Sequence, residues 1–272
     1  MLNTIRCSAA LFRCLPVLSG GTTPIVTTSR QLSNQEALNP IQLTPLQRFL
    51  LTVGSGIGVF SDPRRADLLS VFGELSGPVA LRYMRQKMLE DPVGSRILRE
   101  KPRIRTHTVD LNYLRQLPDN SFGKAYVTFM DHYHYSPDDR HIVRYVDDHE
   151  LAYVMQRYRE IHDLVHTLLE QPTDMLGEVV VKWVEGMQNR LPMCLTGGFF
   201  GSLRLAPKQT KDYLKNHLDY ALRVGLHGDF LMNVYFEEHW TKDMAELRSS
   251  LNIPPPPERL YKSRSRIHNL TA

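Results

Sequence analysis

The chain has 272 residues, 42% of them hydrophobic and 23% charged, with a formal net charge of +4. That composition belongs to a globular protein with enough chain for one good-sized core. The basic excess is small and unclustered, which excludes a nucleic-acid binder and suits, weakly, an anionic membrane surface. No stretch approaches the ~20 apolar residues of a spanning helix, so any membrane contact is peripheral.

Residues 1–32 read as a mitochondrial presequence. Arg6, Arg13 and Arg30 stand among serines and threonines, no acid precedes Glu36, and Leu2, Ile5, Leu11, Leu15 and Leu18 give a loose apolar face. Removal near Arg30 to Ser33 takes Cys7 and Cys14 with it. Cys194 then remains alone, which excludes an internal disulfide, and its apolar context suits a core residue better than a nucleophile.

Residues 33–253 read as one all-α, multi-helix domain, since no alternating run is long enough to promise a sheet. Thr44 and Pro45 make an N-cap and N1 pair, opening an apolar helix through about Phe60. Gly54, Gly56 and Gly58 lie near one side of it, where they permit close helix packing or weaken the helix. Asp62-Pro63 opens a second helix ending near Gly77, with Arg64, Arg65 and Asp67 as a salt-bridge cluster. Helices follow at 78–89 and after Asp91-Pro92, and Asn120 or Ser121 caps another after the turn at Pro118. The tract DHYHYSPDDRHIVRYVDD, residues 131–148, reads as a loop, with His132, His134 and His141 as loop residues and not a metal tract.

The chemistry-bearing stretch comes next, inside a helix predicted over 149–169. His162 and His166 stand at i and i+4, about 40° apart on one face at 100° per residue. They fall within an apolar stripe formed by Leu151, Met155, Tyr158, Val165 and Leu169. Asp163 borders that face. Gln171 to Asp174 reads as a turn, with Thr173 or Asp174 as N-cap of a second helix. His166 lies six residues before Pro172 and Glu178 six after it. In an antiparallel hairpin that symmetry sets them side by side, on helices about 8–10 Å apart. Imidazole nitrogen and carboxylate oxygen are ligands that Zn²⁺ accepts, so His162, Asp163, His166 and Glu178 form a candidate metal site. Against this, Leu176, Val180, Trp183 and Met187 form a stripe opposite Glu178. Glu178, Lys182 and Glu185 then read equally as a solvated face, unless the helix is covered on both sides. A lone histidine on an apolar face is usually core; the paired spacing favours ligation.

LPMCLTGGFFGSLRL, with Gly197, Gly198 and Gly201 beside Phe199 and Phe200, lines a channel for a long apolar ligand or packs two helices or two subunits closely. Helices are predicted at 207–224 and 229–251. The proline run at 254–257 ends the fold, and residues 254–272 form a Pro-rich, basic, disordered tail.

HDxxH, eleven further residues and Glu together resemble the motif of a ubiquinone (coenzyme Q) biosynthesis family, the one at the centre of the mitochondrial biosynthetic complex and assigned a C1-decarboxylase and organiser role. ELAYVMQRYRE before the motif, MLGEVVVKW and LPMCLTGGFFG after it, and the words SDPRRAD, SPDDR and VDD carry the same likeness, from about Leu43 to Ile253. Asp219-Tyr220 departs from the Pro-Trp pair usual there.

The resemblance implies a carboxy-lyase acting on a polyprenylated 4-hydroxybenzoate and peripheral to the matrix side of the mitochondrial inner membrane. Its partners are other enzymes of the biosynthetic complex, and a homodimer is compatible. It implies a metal at His162, Asp163, His166 and Glu178: Zn²⁺, with Fe²⁺ or Mn²⁺ compatible with two carboxylates. Four protein ligands close a tetrahedral site, so catalysis needs a fifth position or Asp163 as a base. Lys182, one turn beyond Glu178, is the candidate group lining the site. The competing expectation is a non-catalytic, lipid-binding scaffold with a structural metal. A zinc hydrolase is weaker, because HDxxH lacks the general-base Glu of HExxH.

Overall fold

Prolines and capping side chains mark where the helices begin. The structure, a computed structural model, describes residues 40–62 and 65–260. The expected presequence, Pro63, Arg64 and the last twelve residues of the basic tail lie outside the described residues. Thr44 and Gln47 form a reciprocal capping box at the start of α1 (Pro45–Ser61). The chain continues through α2 (Ala66–Ser76), α3 (Pro78–Leu89), α4 (Pro92–Glu100), α5 (Leu111–Arg115) and α6 (Phe122–Tyr133). Then come α7 (His149–Leu168), α8 (Met175–Asn189), α9 (Pro192–Ser202), α10 (Pro207–Asp212), α11 (Leu218–His227) and α12 (Met244–Ser250). The carboxylates of Asp91, Asp110, Asp148 and Asp174 accept first-turn N–H groups of α4, α5, α7 and α8, satisfying donors that have no partner within the helix. Among the described residues there is no strand, only an isolated bridge between Ser121 and Asp243, so the fold is all-α as expected.

The centre of the core is α7, and every residue from Leu151 to Leu168 is buried. Its apolar side chains pack with Leu81, Met84 and Met88 of α3, Ile97 of α4 and Phe122, Phe129 and Met130 of α6 in one hydrophobic cluster. The charged side chains between Leu151 and Leu168 are buried too, and each meets a partner distant in sequence. The Arg157 guanidinium donates to both carboxylate oxygens of Glu237, at 2.6 and 2.9 Å, and to the Val234 carbonyl. Arg159 pairs with Glu74 at 2.8 Å and donates to the Ser70 carbonyl. Glu160 takes Arg103 at 2.8 Å, Arg105 at 3.2 Å, the Ile104 N–H and the Gln156 amide.

Four helix boundaries differ from the sequence expectation. Helix α6 runs through His132 to Tyr133, into the tract expected to be loop. Asp62 closes α1, its N–H bonding to the Gly58 carbonyl, instead of opening α2. The helix predicted over 207–224 runs to His227 and carries a five-residue π-helical turn, Tyr213–His217. Of the helix predicted over 229–251 only α12 forms; Leu231–Asn233 and Phe236–Glu238 are single 3₁₀ turns. The cause is competition for backbone groups. Gln188 takes the Asp229 carbonyl and the Leu231 N–H, and Arg157 takes the Val234 carbonyl, so this segment is held from outside as a strap across the core.

Glu160→Ala leaves two buried guanidiniums without their shared carboxylate, and should lower the unfolding free energy by about 3–5 kcal/mol. Urea denaturation measures this; a shift comparable to that of a surface substitution would show the network to be dispensable.

Candidate metal centre

The turn between α7 and α8 positions the site as much as the helices do. Glu170 adopts a left-handed conformation, φ 49°. The Gln171 N–H returns to the His166 carbonyl at 2.9 Å, while the Gln171 carbonyl accepts from His166 Nδ1, also at 2.9 Å. Asp174 then caps α8 through the Gly177 N–H at 2.9 Å. Gly177 has no alternative here, because a Cβ would overlap the Pro172 carbonyl.

The helices bring His162, His166 and Glu178 together. The two imidazole rings lie 4.7 Å apart, nearly perpendicular at 87°. His166 Nε2 is 3.4 Å from one Glu178 oxygen and His162 Nε2 is 3.9 Å from the other. One ligand atom from each residue lies within 4.8 Å of the other two. Among the described residues this is the one group of three or more His, Cys, Asp or Glu side chains so disposed.

Both rings are oriented through Nδ1. His162 Nδ1 sits 2.6 Å from Glu185 Oε1, and the His166 Nδ1 proton goes to the Gln171 carbonyl. This leaves both Nε2 atoms turned toward Glu178, the tautomer that a metal-bound histidine uses. His166 Nε2 is buried without a hydrogen-bond partner. It faces the Glu178 carboxylate at 3.4 Å, and a cation between them would engage both. The residues therefore fit a divalent cation. Burial pulls the His162 pKa down, although Glu185 opposes it. At His166 burial acts in the same direction, but the Glu178 carboxylate outweighs it and raises the pKa. Burial would raise Glu178, but the two imidazoles and Lys182 hold it well below the usual carboxylate range, as an anion. Glu178 keeps 37% of its side-chain exposure, so the cluster is open on that side.

Asp163 and Lys182 occupy different positions from the three clustered residues. Both Asp163 oxygens accept from the Arg140 guanidinium, which reaches in from the loop between α6 and α7. Asp163 thus anchors that loop to α7 and lies outside the three-residue cluster. Lys182 Nζ is 2.9 Å from Glu185 Oε2 and 3.3 Å from the Tyr158 hydroxyl. Burial alone would discharge it; Glu185 holds it as an ammonium, with its pKa raised. Glu185 joins His162 to Lys182, and Tyr158 reaches Cys194 Sγ at 3.0 Å. Glu178, Lys182 and Glu185 are consequently an inward stripe facing α7. The opposite face of α8 is covered as well: Leu176 and Val180 are fully buried, and a Cβ at Gly225 of α11 would meet Met187. Sequence reasoning missed Arg140 and the orienting role of Glu185. Glu185 had a signal, since it lies seven residues after Glu178 and so on the same face. Arg140 had none beyond its place in SPDDR.

The glycines of α9 serve helix packing. Gly197 lies against Lys182, Gly201 against Val179, and a Cβ at Gly198 would stand 3.1 Å from the Trp183 ring. Burial pushes the Cys194 thiol up to about 12, so it is no thiolate at neutral pH. In a Cys7→Ser/Cys14→Ser chain at pH 8, Cys194 should resist a chromogenic disulfide reagent until denaturant is added. Labelling of the native chain at the unfolded rate would contradict this environment.

Comparison with known proteins gives a concordant result. Residues 38–257 match the family "Coenzyme Q (ubiquinone) biosynthesis protein Coq4". The chain is 51% identical over 215 residues to the mitochondrial ubiquinone biosynthesis protein COQ4 homolog of Aedes aegypti, covering 79% of this chain and 78% of that one. It is 49% identical over 218 residues to the Xenopus tropicalis homolog, covering 80% and 78%, and 44% identical over 220 residues to that of Mus musculus, covering 81% and 83%. A crystallised chain of Nostoc punctiforme named for ubiquinone biosynthesis superposes with a TM-score of 0.59 at 17% identity. The match covers 74% of this chain and 96% of that one, a likeness of fold.

Proposed function

Because the chain belongs to the Coq4 family of coenzyme Q (ubiquinone) biosynthesis proteins, we propose that it is a metal-dependent decarboxylase acting at C1 of a polyprenylated 4-hydroxybenzoate. The observation that carries this reading is the convergence of the His166 and His162 Nε2 atoms on the Glu178 carboxylate, at 3.4 and 3.9 Å, with both rings held from their Nδ1 side. His162, His166 and Glu178 hold the cation, and Asp163 serves as the Arg140 anchor instead of a fourth ligand. Two histidines and one carboxylate suit Zn²⁺, and Fe²⁺ or Mn²⁺ accept the same donors. Held by these three residues, a divalent ion would supply Lewis-acid chemistry toward a substrate oxygen.

The remaining work falls to side chains. The bond from C1 to the carboxylate breaks, CO₂ leaves, and a proton takes its place on C1, with the para oxygen donating electron density to the ring. Lys182, kept as an ammonium by Glu185, holds that proton one turn beyond Glu178. Glu185 fixes the His162 tautomer at the same time. The relatives are named mitochondrial, and the basic, acid-poor N-terminus supports the same address. Among the described residues no helix is long and apolar enough to cross a membrane. To the mitochondrial address that the relatives' names and the N-terminus support, the family reading adds a peripheral position on the matrix side of the inner membrane, beside other enzymes of the pathway. A rival reading, an organiser with a structural metal, draws on the apolar side chains that α1 and α9 leave exposed, since a scaffold needs contact area.

Purified protein should carry one divalent ion per chain, lost in His166→Ala, and should release CO₂ from a prenylated 4-hydroxybenzoate. His162→Ala should abolish release and Lys182→Ala should lower it by about 100-fold or more. Metal binding without CO₂ release, whichever metal is loaded, would support the organiser; absence of any bound metal would remove both forms of the site. Glu185→Gln should weaken metal affinity about 10- to 100-fold by titration calorimetry, and unchanged affinity would detach Glu185 from the site.

A further inference from the structure

Helix α1 is turned inside out. Leu46, Phe49, Leu50, Val53, Ile57 and Phe60 recur at helical spacing, and each is between 43% and 67% exposed. The side toward the protein is small and polar: Ser55 is buried, and Gly56 lets Phe72 of α2 approach its backbone. A second stripe, Phe199, Phe200 and Leu203, stands 39–71% exposed on α9. The stripes meet where Phe60 and Phe200 pack edge to face, ring centroids 5.1 Å apart. Arg204 closes the junction, its guanidinium over the Phe60 ring and donating to the Phe60 carbonyl.

Charge identifies what covers this face. Residues 40–61 contain one charged side chain, Arg48, and no acid. Residues 190–211 contain Arg190, Arg204, Lys208 and Lys211, again with no acid. Lys208, Lys211 and Lys215 are exposed on α10 and the turn after it, together with Leu214 at 64%. Arg48 is paired with Asp147 at 2.8 Å, so the unpaired positive edge is that of the α10 lysines. An apolar surface with such an edge complements the headgroup and acyl boundary of an anionic bilayer. At 17 residues α1 is about 25 Å long, too short to span and suited to lie in the plane of the interface. A second copy fits poorly. Self-pairing across a two-fold axis would bring these cations toward one another, and α1 lacks the charged flanks by which helical seams choose partners.

We propose that the joined stripes of α1 and α9, with the α10 lysines, form the face by which this protein docks on an anionic lipid surface. The inference rests on the peripheral membrane placement proposed above and not on the metal or the reaction. Its location suits an apolar substrate: α9 bears the face outward and packs its glycines on α8, so one helix separates lipid from the helix that carries Glu178.

The test is flotation of the full-length chain with vesicles of phosphatidylcholine alone or mixed with cardiolipin. Arg6→Gln, Arg13→Gln and Arg30→Gln are present throughout, to silence the N-terminal segment's own attraction to anionic lipid. Phe49→Glu/Ile57→Glu/Phe199→Glu should lower the vesicle-bound fraction by about tenfold or more, with helical circular dichroism and metal content unchanged. Lys208→Glu/Lys211→Glu should reduce binding to the cardiolipin vesicles alone. Equal flotation of the triple variant and its parent would overturn this face while leaving peripheral association intact. No flotation of the parent would overturn both. A parent that is dimeric and a triple variant that is monomeric, neither floating, would assign the face to a second copy and overturn the lipid.

Discussion

The structure depends on one demand: a twenty-residue helix, α7, is buried along nearly its whole length although its sequence is rich in charge. Removing ions from water is costly unless each finds a counter-ion and fills its hydrogen bonds. Arg157, Arg159, Glu160 and Asp163 meet this by recruiting Glu237, Glu74, Arg103 with Arg105, and Arg140. Those partners come from α2, from the loop between α4 and α5, from the loop after α6 and from the strap before α12, so neutralising one helix assembles most of the fold around it. The strap shows how far this reaches, for it forgoes helical hydrogen bonds that its own sequence would support.

The metal centre extends the same scheme. Its two imidazoles lie on α7, and the stripe that answers them on α8 carries Glu178, Lys182 and Glu185 at successive turns. Glu178 closes the cluster on the Nε2 side, while Glu185 and the Gln171 carbonyl hold the Nδ1 side. Each ring is thus fixed from behind and open in front, the state a ligand requires before any ion arrives. The opening of Glu178 toward solvent sets this cluster apart from the sealed ion pairs elsewhere on α7.

Much of this was legible in the sequence because it is local. Caps, prolines and the i, i+4 pair of histidines act over one or two turns, and Thr44, Asp91, Ser121 and Asp174 all cap helices. The spacing about Pro172 that brings His166 toward Glu178 is likewise local. Long-range competition was not. Nothing in residues 229–243 records that Gln188 and Arg157 claim their backbone groups. Spacing alone puts Asp163 beside His166, whereas its guanidinium partner stands 23 residues earlier. The stripe of α1 marks a different limit: periodicity identifies an apolar face but does not say whether protein lies on the other side of it.

The turn between α7 and α8 has a consequence for how these proteins can vary. Its backbone does two jobs, since the Gln171 carbonyl that shapes the bend also holds the ring of His166. One residue inserted between Gln171 and Glu178 would rotate everything beyond it by about 100°, swinging the acid away from the imidazoles and bringing the preceding residue into its place. Most surface loops drift in length without harm. This one sets the phase of one helix against another, and an evolving chain can change the residues it is made of far more readily than it can change their number.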